Sequence, residues 1–194
     1  MTQLLPMMMY CFVMSITPGP NNLMLTASGA NFGYRLTLPQ VLGCVGGNVA
    51  MTMVACAGLG HLFLVFPLAQ TVLRTGGALY LVVLAWKLAR ARVGELDSLR
   101  PLSFLEGAMF QAVNPKSWIR AITLASVFMP AGANPLVAGL GISVVGAIIG
   151  FPCISMWALF GVAMRGFLQD ARKQRLFNLA MAAALVFLAV DILR

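Results

Sequence analysis

Thr17-Pro18-Gly19-Pro20-Asn21-Asn22 and, much further along, Asn114-Pro115-Lys116 interrupt two apolar stretches that would otherwise cross a membrane as plain helices. Proline has no backbone N–H, and its ring clashes with the carbonyl four residues earlier, so an α-helix opens at each site. Pro18 cannot donate to the carbonyl of Met14, Pro20 to that of Ile16, or Pro115 to that of Gln111. Thr17, Gly19 and Asn114 each precede a proline, which biases them away from helical geometry. In hydrocarbon an open backbone is tolerated only where protein buries it or where it lines a cavity. These stretches therefore predict two broken helices around a polar interior.

The composition of the remaining chain agrees. Its 194 residues are 60% hydrophobic and 9% charged, with a mean hydropathy of +0.91. Soluble domains carry about 25% charged residues, so this chain cannot cover a water-facing surface and reads as a polytopic membrane protein. In a soluble protein the net charge of +8 would suggest a nucleic-acid partner. Here the basic residues sit at the ends of apolar runs, where they orient a protein in the bilayer. There is no basic stripe with interleaved aromatics, and no nucleic acid is expected. Cys11, Cys44, Cys56 and Cys153 fall inside apolar runs without metal-ligand spacing. They read as small buried hydrophobes, Met7-Met8-Met9 reads as apolar filler, and neither a metal nor a cofactor is expected.

A span needs about 20 mostly apolar residues. Six are predicted, over 4–28, 38–66, 68–88, 104–129, 135–164 and 176–193. Arg35, then Lys87, Arg90, Arg92 and Arg100, then Arg165, Arg172, Lys173 and Arg175 collect on one side, leaving little beyond Arg74 and Arg194 on the other. The basic side should be cytoplasmic, with both termini outside. The first basic residue is Arg35 and the first apolar run exceeds signal-peptide length, so a retained span is expected. The connection around Glu95 and Asp97 divides the spans three and three, and an odd number per set inverts the second set relative to the first. The expected fold is an all-α polytopic membrane protein. Its six transmembrane helices form a 3+3 inverted repeat with a broken first helix in each half. A single transmembrane domain covers 1–194, with repeats over approximately 1–90 and 103–194. The second span of each half carries a GxxxG pair, Gly43 with Gly47 and Gly146 with Gly150, a pattern that lets helix backbones approach closely.

Paired helix breaks in corresponding positions of two repeats mark the binding site of a transporter. Asn114 is a strong N-cap, and Pro115 suits the first helical position. The free N–H groups of a helix start attract anions. Lys116 puts a positive charge beside that positive dipole end, an arrangement relieved by an anion such as an amino acid's carboxylate. Bare carbonyls at the first break could receive its ammonium group, and Asn21 and Asn22 add donors and acceptors. Arg120 lies one turn beyond Lys116. A charge near the bilayer centre costs at least about 2.5–3.5 kcal/mol on insertion scales, so both cations need polar surroundings. The acids Glu106 and Asp191 sit near span ends, so the solute should be neutral or anionic and no deep carboxylate proton relay is evident. His61, toward the outer end of its span, reads as structural.

With these residues in order, the chain resembles the amino-acid exporter family that includes lysine and homoserine/threonine exporters. The resemblance runs through Gly43-Cys44-Val45-Gly46-Gly47-Asn48, then Gly76-Gly77-Ala78-Leu79-Tyr80-Leu81 with Ala85-Trp86-Lys87, then Phe104-Leu105-Glu106-Gly107. It covers nearly the whole chain, and the first break looks closest to the cysteine/O-acetylserine export branch. It implies a multi-pass protein of the bacterial inner membrane that exports amino acids, usually in exchange for protons. The expected solutes are small neutral ones of the cysteine, O-acetylserine, homoserine and threonine class. Together with the chemistry of the two breaks, the expected substrate-binding residues are Thr17, Pro18, Gly19, Pro20, Asn21, Asn22, Asn48, Asn114, Pro115, Lys116 and Arg120. Asn48 departs from the many family members that carry an acid there, which argues against cationic solutes. Two other classes compete. A membrane-embedded enzyme is disfavoured because HExxH, GxSxG and a Cys–His pairing are absent. A passive pore fits two broken helices less well than alternating access does. Assembly into a homo-oligomer is left open.

Overall fold

The computed structural model describes residues 3–59, 67–90, 100–130, 132–167 and 170–193. His61 with the rest of 60–66 at the end of the second predicted span, Arg92, Glu95, Asp97 and Arg194, and the side chains of Arg74, Lys87 and Asp191 lie outside that description. Every regular element among the described residues is helical. The order is α1 (Leu4–Ile16), α2 (Pro20–Phe32), α3 (Tyr34–Val54, running on into a π-turn at Ala55–Leu59), α4 (Pro67–Arg90), α5 (Phe104–Val113), α6 (Pro115–Val127), α7 (Pro135–Met164) and α8 (Ala171–Leu193).

Both helix breaks fall where the prolines require them. Between α1 and α2 the backbone is extended at Thr17 (φ −68°, ψ 145°) and Gly19 (φ −177°, ψ 172°). Between α5 and α6 it is extended at Asn114 (φ −88°, ψ 110°). Prolines 20 and 115 each open the following helix, where the missing N–H has no intrahelical partner to lose. The bounds of α7 coincide with the expected 135–164. The first apolar run outlasts its expected end at Ser28, because α2 continues to Phe32. Gly33 then turns the chain at φ 82°, a left-handed geometry that favours glycine, and α3 starts at once with Tyr34. Glu106 is confirmed away from the interior and forms a capping box with Ser103 at the start of α5. Arg100 pairs with it through two 2.8 Å hydrogen bonds.

α3 lies against α5 and α7, α2 against α7, and α4 against α8. Glycines let two of these contacts close to backbone distance. A Cβ at Gly47 would sit 2.6 Å from the Ala108 carbonyl oxygen, and one at Gly107 2.6 Å from that of Gln40. Gly43 would meet the Phe104 carbonyl. On the other contact, Gly29 and Gly161 would meet the carbonyls of Ala158 and Thr26. The expected close approach at Gly43 and Gly47 is therefore present, made by α3 on α5.

Ile148, Phe187, Leu176, Val137 and Leu105 are exposed, whereas Asn21, Asn22, Gln40, Gln111, Asn114 and Asn178 are buried. An apolar exterior around a polar interior reverses the ordinary soluble pattern and suits a lipid surround. The stretches Tyr34–Gly58 and Pro135–Met164, of 25 and 30 residues, are long and apolar enough to cross a membrane. At one end of the bundle the Arg165 Nη1 lies 3.4 Å from the position a Cβ on Gly33 would take. Gln174 Nε2 donates to Asn31 Oδ1 at 3.5 Å there. The segments that follow α2 and α7 thus lie at the same end of the bundle.

Candidate functional site

The two breaks meet. Lys116, on the first turn of α6, reaches across to the first break and donates to the Thr17 carbonyl at 2.9 Å, to Thr17 Oγ1 at 2.8 Å and to the Pro18 carbonyl at 3.3 Å. Gly19 makes room for it, since a Cβ there would lie 3.1 Å from Lys116 Cδ. Further carbonyls of that break are also taken. Asn22 Nδ2 donates to Ser15 O at 2.9 Å and to Thr17 O at 2.8 Å. Trp157 Nε1, from α7, donates to Ile16 O at 3.1 Å. The Ile16 carbonyl, expected to be bare because of Pro20, and those of Ser15, Thr17 and Pro18 are thus satisfied by the chain itself and not left open for an ammonium group, as buried backbone groups generally must be.

The second break closes on itself. Asn114 N donates to Gln111 O at 3.2 Å, and Asn114 Oδ1 accepts from Lys116 N at 3.1 Å, the expected N-cap. Trp118 Nε1 donates to Ala112 O at 2.7 Å.

A side-chain network joins the breaks beneath this clasp. Gln111 Nε2 donates to Gly107 O at 3.1 Å and to Asn21 Oδ1 at 3.2 Å. Its Oε1 accepts from Ser117 Oγ at 2.8 Å and from Asn48 Nδ2 at 3.4 Å. Asn48 Nδ2 donates also to Cys44 O at 2.9 Å, and Cys44 Sγ donates to Asn21 Oδ1 at 2.8 Å. These partners fix the amide orientations of Asn48 and Gln111.

Two cavities open on this network. The larger is lined among others by Ser15, Gly19, Asn21, Asn22, Asn48, Gln111, Asn114, Lys116, Ser117 and Arg120. The smaller is lined by Ser15, Asn48, Arg120, Ser143, Gly146, Gly150 and apolar neighbours. Ser15, Asn48, Arg120 and Ile154 belong to both. No carboxylate lines either one among the described residues. Of the residues expected at the site, Gly19, Asn21, Asn22, Asn48, Asn114, Lys116 and Arg120 face the larger cavity. Thr17 and Pro18 instead hold Lys116, while Pro20 and Pro115 begin the helices behind it.

Ser15, Gln111, Ser117 and Ser143 were not singled out from the sequence. A signal for Ser143 was available: with Gly146, Ala147 and Gly150 it follows the i, i+3, i+4, i+7 spacing of one helix face. That face is made of small residues with one hydroxyl, inside a mostly apolar helix. Gly146 and Gly150 do not bring two backbones together. A Cβ on Gly146 would meet Arg120 Nη2, and one on Gly150 would lie 3.4 Å from Ser15 Oγ.

A helical bundle with an apolar exterior, two helix breaks joined inside it and a polar cavity at their junction has the build of a membrane translocator. Residues 12–194 match the LysE type translocator family, and the chain belongs to that family. It is 33% identical over 186 residues to the cysteine/O-acetylserine efflux protein of Escherichia coli (strain K12), covering 94% of this chain and 93% of the relative. The proteins of that description from Shigella sonnei (strain Ss046) and Shigella flexneri match to the same extent. No solved structure matches the chain significantly.

Proposed function

We propose that this protein exports small neutral amino acids from the bacterial cytoplasm across the inner membrane, with cysteine and O-acetylserine as the leading solutes. The observation that carries the reading is the cavity where the two helix breaks meet. It offers two cationic side chains, several amides and hydroxyls, and no described carboxylate. A zwitterion with an uncharged side chain can be matched there, whereas a second positive charge would be desolvated without a partner, which costs several kcal/mol. That the 33% identical relatives are cysteine/O-acetylserine efflux proteins supports the same solutes.

The reading includes six spans as two inverted sets of three, both termini outside, and alternating access at the junction of the repeats. Exchange against protons belongs to it as well, by a route other than an acid at position 48, where this chain has Asn48.

The test is counterflow in proteoliposomes containing the purified protein. Labelled O-acetylserine should enter with saturation, faster when unlabelled O-acetylserine is preloaded, and faster still under an opposing proton gradient. Linear, unsaturated flux without trans-stimulation would mean a pore. Flux that is saturable but indifferent to the gradient would remove proton exchange alone.

A further inference from the structure

We infer that Arg120, and not Lys116, receives the carboxylate of the transported solute, while Asn48 Oδ1 receives its ammonium group. This assignment rests on the amino-acid export reading and names the atoms that carry it out.

Lys116 has no donor to spare. An ammonium group has three N–H donors, and Thr17 O, Thr17 Oγ1 and Pro18 O take three bonds from it. Its role is to clasp the breaks together. Arg120 is the opposite case. It is 8% exposed, its Nε has no partner, and Nη2 reaches only Cys11 Sγ at 3.9 Å, a weak acceptor. No described carboxylate serves as its counter-ion. Glu106 is held by Arg100, and Asp170 Oδ1 accepts from the backbone N–H groups of Arg172 and Lys173. A buried guanidinium without a counter-charge is unfavourable, and an incoming carboxylate removes that penalty. The planar fork of arginine suits a two-pronged carboxylate contact better than a lysine does.

The surroundings are shaped for such a guest. Gly146 leaves the guanidinium its room, because a Cβ there would meet Nη2. Three buried polar atoms without a partner belong to residues lining the smaller cavity: Arg120 Nε, Asn48 Oδ1 and Ser143 Oγ. Nδ2 of Asn48 is committed to Cys44 O and Gln111 Oε1, so the atom left over is an acceptor. A cationic donor and an amide acceptor on one cavity complement the two ends of a zwitterion. Ser143 Oγ can serve either the backbone of the solute or a polar side chain.

The experiment is competition against labelled O-acetylserine counterflow by unlabelled serine, serine methyl ester and serinamide. It compares wild type, Arg120→Gln, Lys116→Gln and Gly146→Ala in proteoliposomes. Wild type should prefer serine over both neutralised analogues by about tenfold or more, as expected for loss of a charge-assisted contact. Arg120→Gln should bring that preference close to parity, whatever its residual rate. Lys116→Gln should keep the preference even where its rate falls. Gly146→Ala tests the same site with the cation kept, so an unstable Arg120→Gln does not remove the test. It should weaken serine competition several-fold and leave the ester's unchanged. Full preference for serine in Arg120→Gln or, should that variant not fold, unweakened serine competition in Gly146→Ala would overturn the assignment while leaving the export reading intact. A wild-type protein that carries no amino acid overturns both.

Discussion

The two helix breaks meet the same chemical problem with different partners. At the second, Asn114 supplies both its backbone N–H and its side-chain oxygen to neighbours within a few residues, and Trp118 covers Ala112 O from the next turn. At the first, three residues lie between α1 and α2; Asn22 donates twice locally, and the other donors come from far along the chain. Lys116 lies 99 residues from Thr17, and Trp157 lies 141 from Ile16. The second break is therefore locally complete and can serve as a fixed point. The first draws part of its hydrogen bonding from α6 and α7 docked against it. This difference also sorts the two cations of α6: Lys116 is spent on holding the first break, and Arg120, one turn on, remains for a guest.

Substitutions can break or sharpen this contrast. Lys116→Gln should be the most damaging, because the carbonyls of Thr17 and Pro18 lose a charged donor. With charged hydrogen bonds worth roughly 1.5–3 kcal/mol, a loss of about 3 kcal/mol is expected. It would be read as a lower unfolding midpoint of the detergent-purified protein. Asn22→Ala removes two hydrogen bonds, to Ser15 O and Thr17 O, and should cost about 2 kcal/mol in the same assay. Trp157→Phe keeps the ring but frees Ile16 O, for a loss of about 1 kcal/mol. Asn114→Ala deletes an N-cap and should cost about 1 kcal/mol, with no effect on the distance between the breaks. Spin labels across the first break would separate these outcomes. Lys116→Gln should broaden their distance distribution, and Asn114→Ala should leave it narrow. If Asn114→Ala broadened it equally, the second break would not be the fixed point.

Much of this architecture is legible in the sequence because proline acts locally. The missing N–H of Pro18, Pro20 and Pro115 dictates where helices stop, and Asn114 dictates how the next one starts. The bounds of α7 follow from its unbroken apolar run between Asn134 and Arg165. What does not follow locally was missed. That Ile16, Thr17 and Pro18 have donors depends on Trp157 and Lys116 arriving by tertiary packing, and no spacing rule announces that. The two GxxxG pairs look alike in sequence, yet Gly43 and Gly47 admit another backbone while Gly146 admits a guanidinium. The partner decides, and it belongs to another helix. Ser143 was missed because one hydroxyl in a long apolar helix is read as tolerated; only the small residues on its face set it apart.

The central claim is a carrier whose cavity accepts a zwitterion with an uncharged side chain. Its most direct test is accumulation of labelled O-acetylserine and labelled lysine, side by side, in inside-out membrane vesicles that contain the protein and in vesicles that lack it. The account predicts protein-dependent, saturable accumulation of O-acetylserine and little of lysine. Lysine accumulated as well as O-acetylserine would contradict it, and would require an acid to reach the cavity that none of its described lining residues supplies.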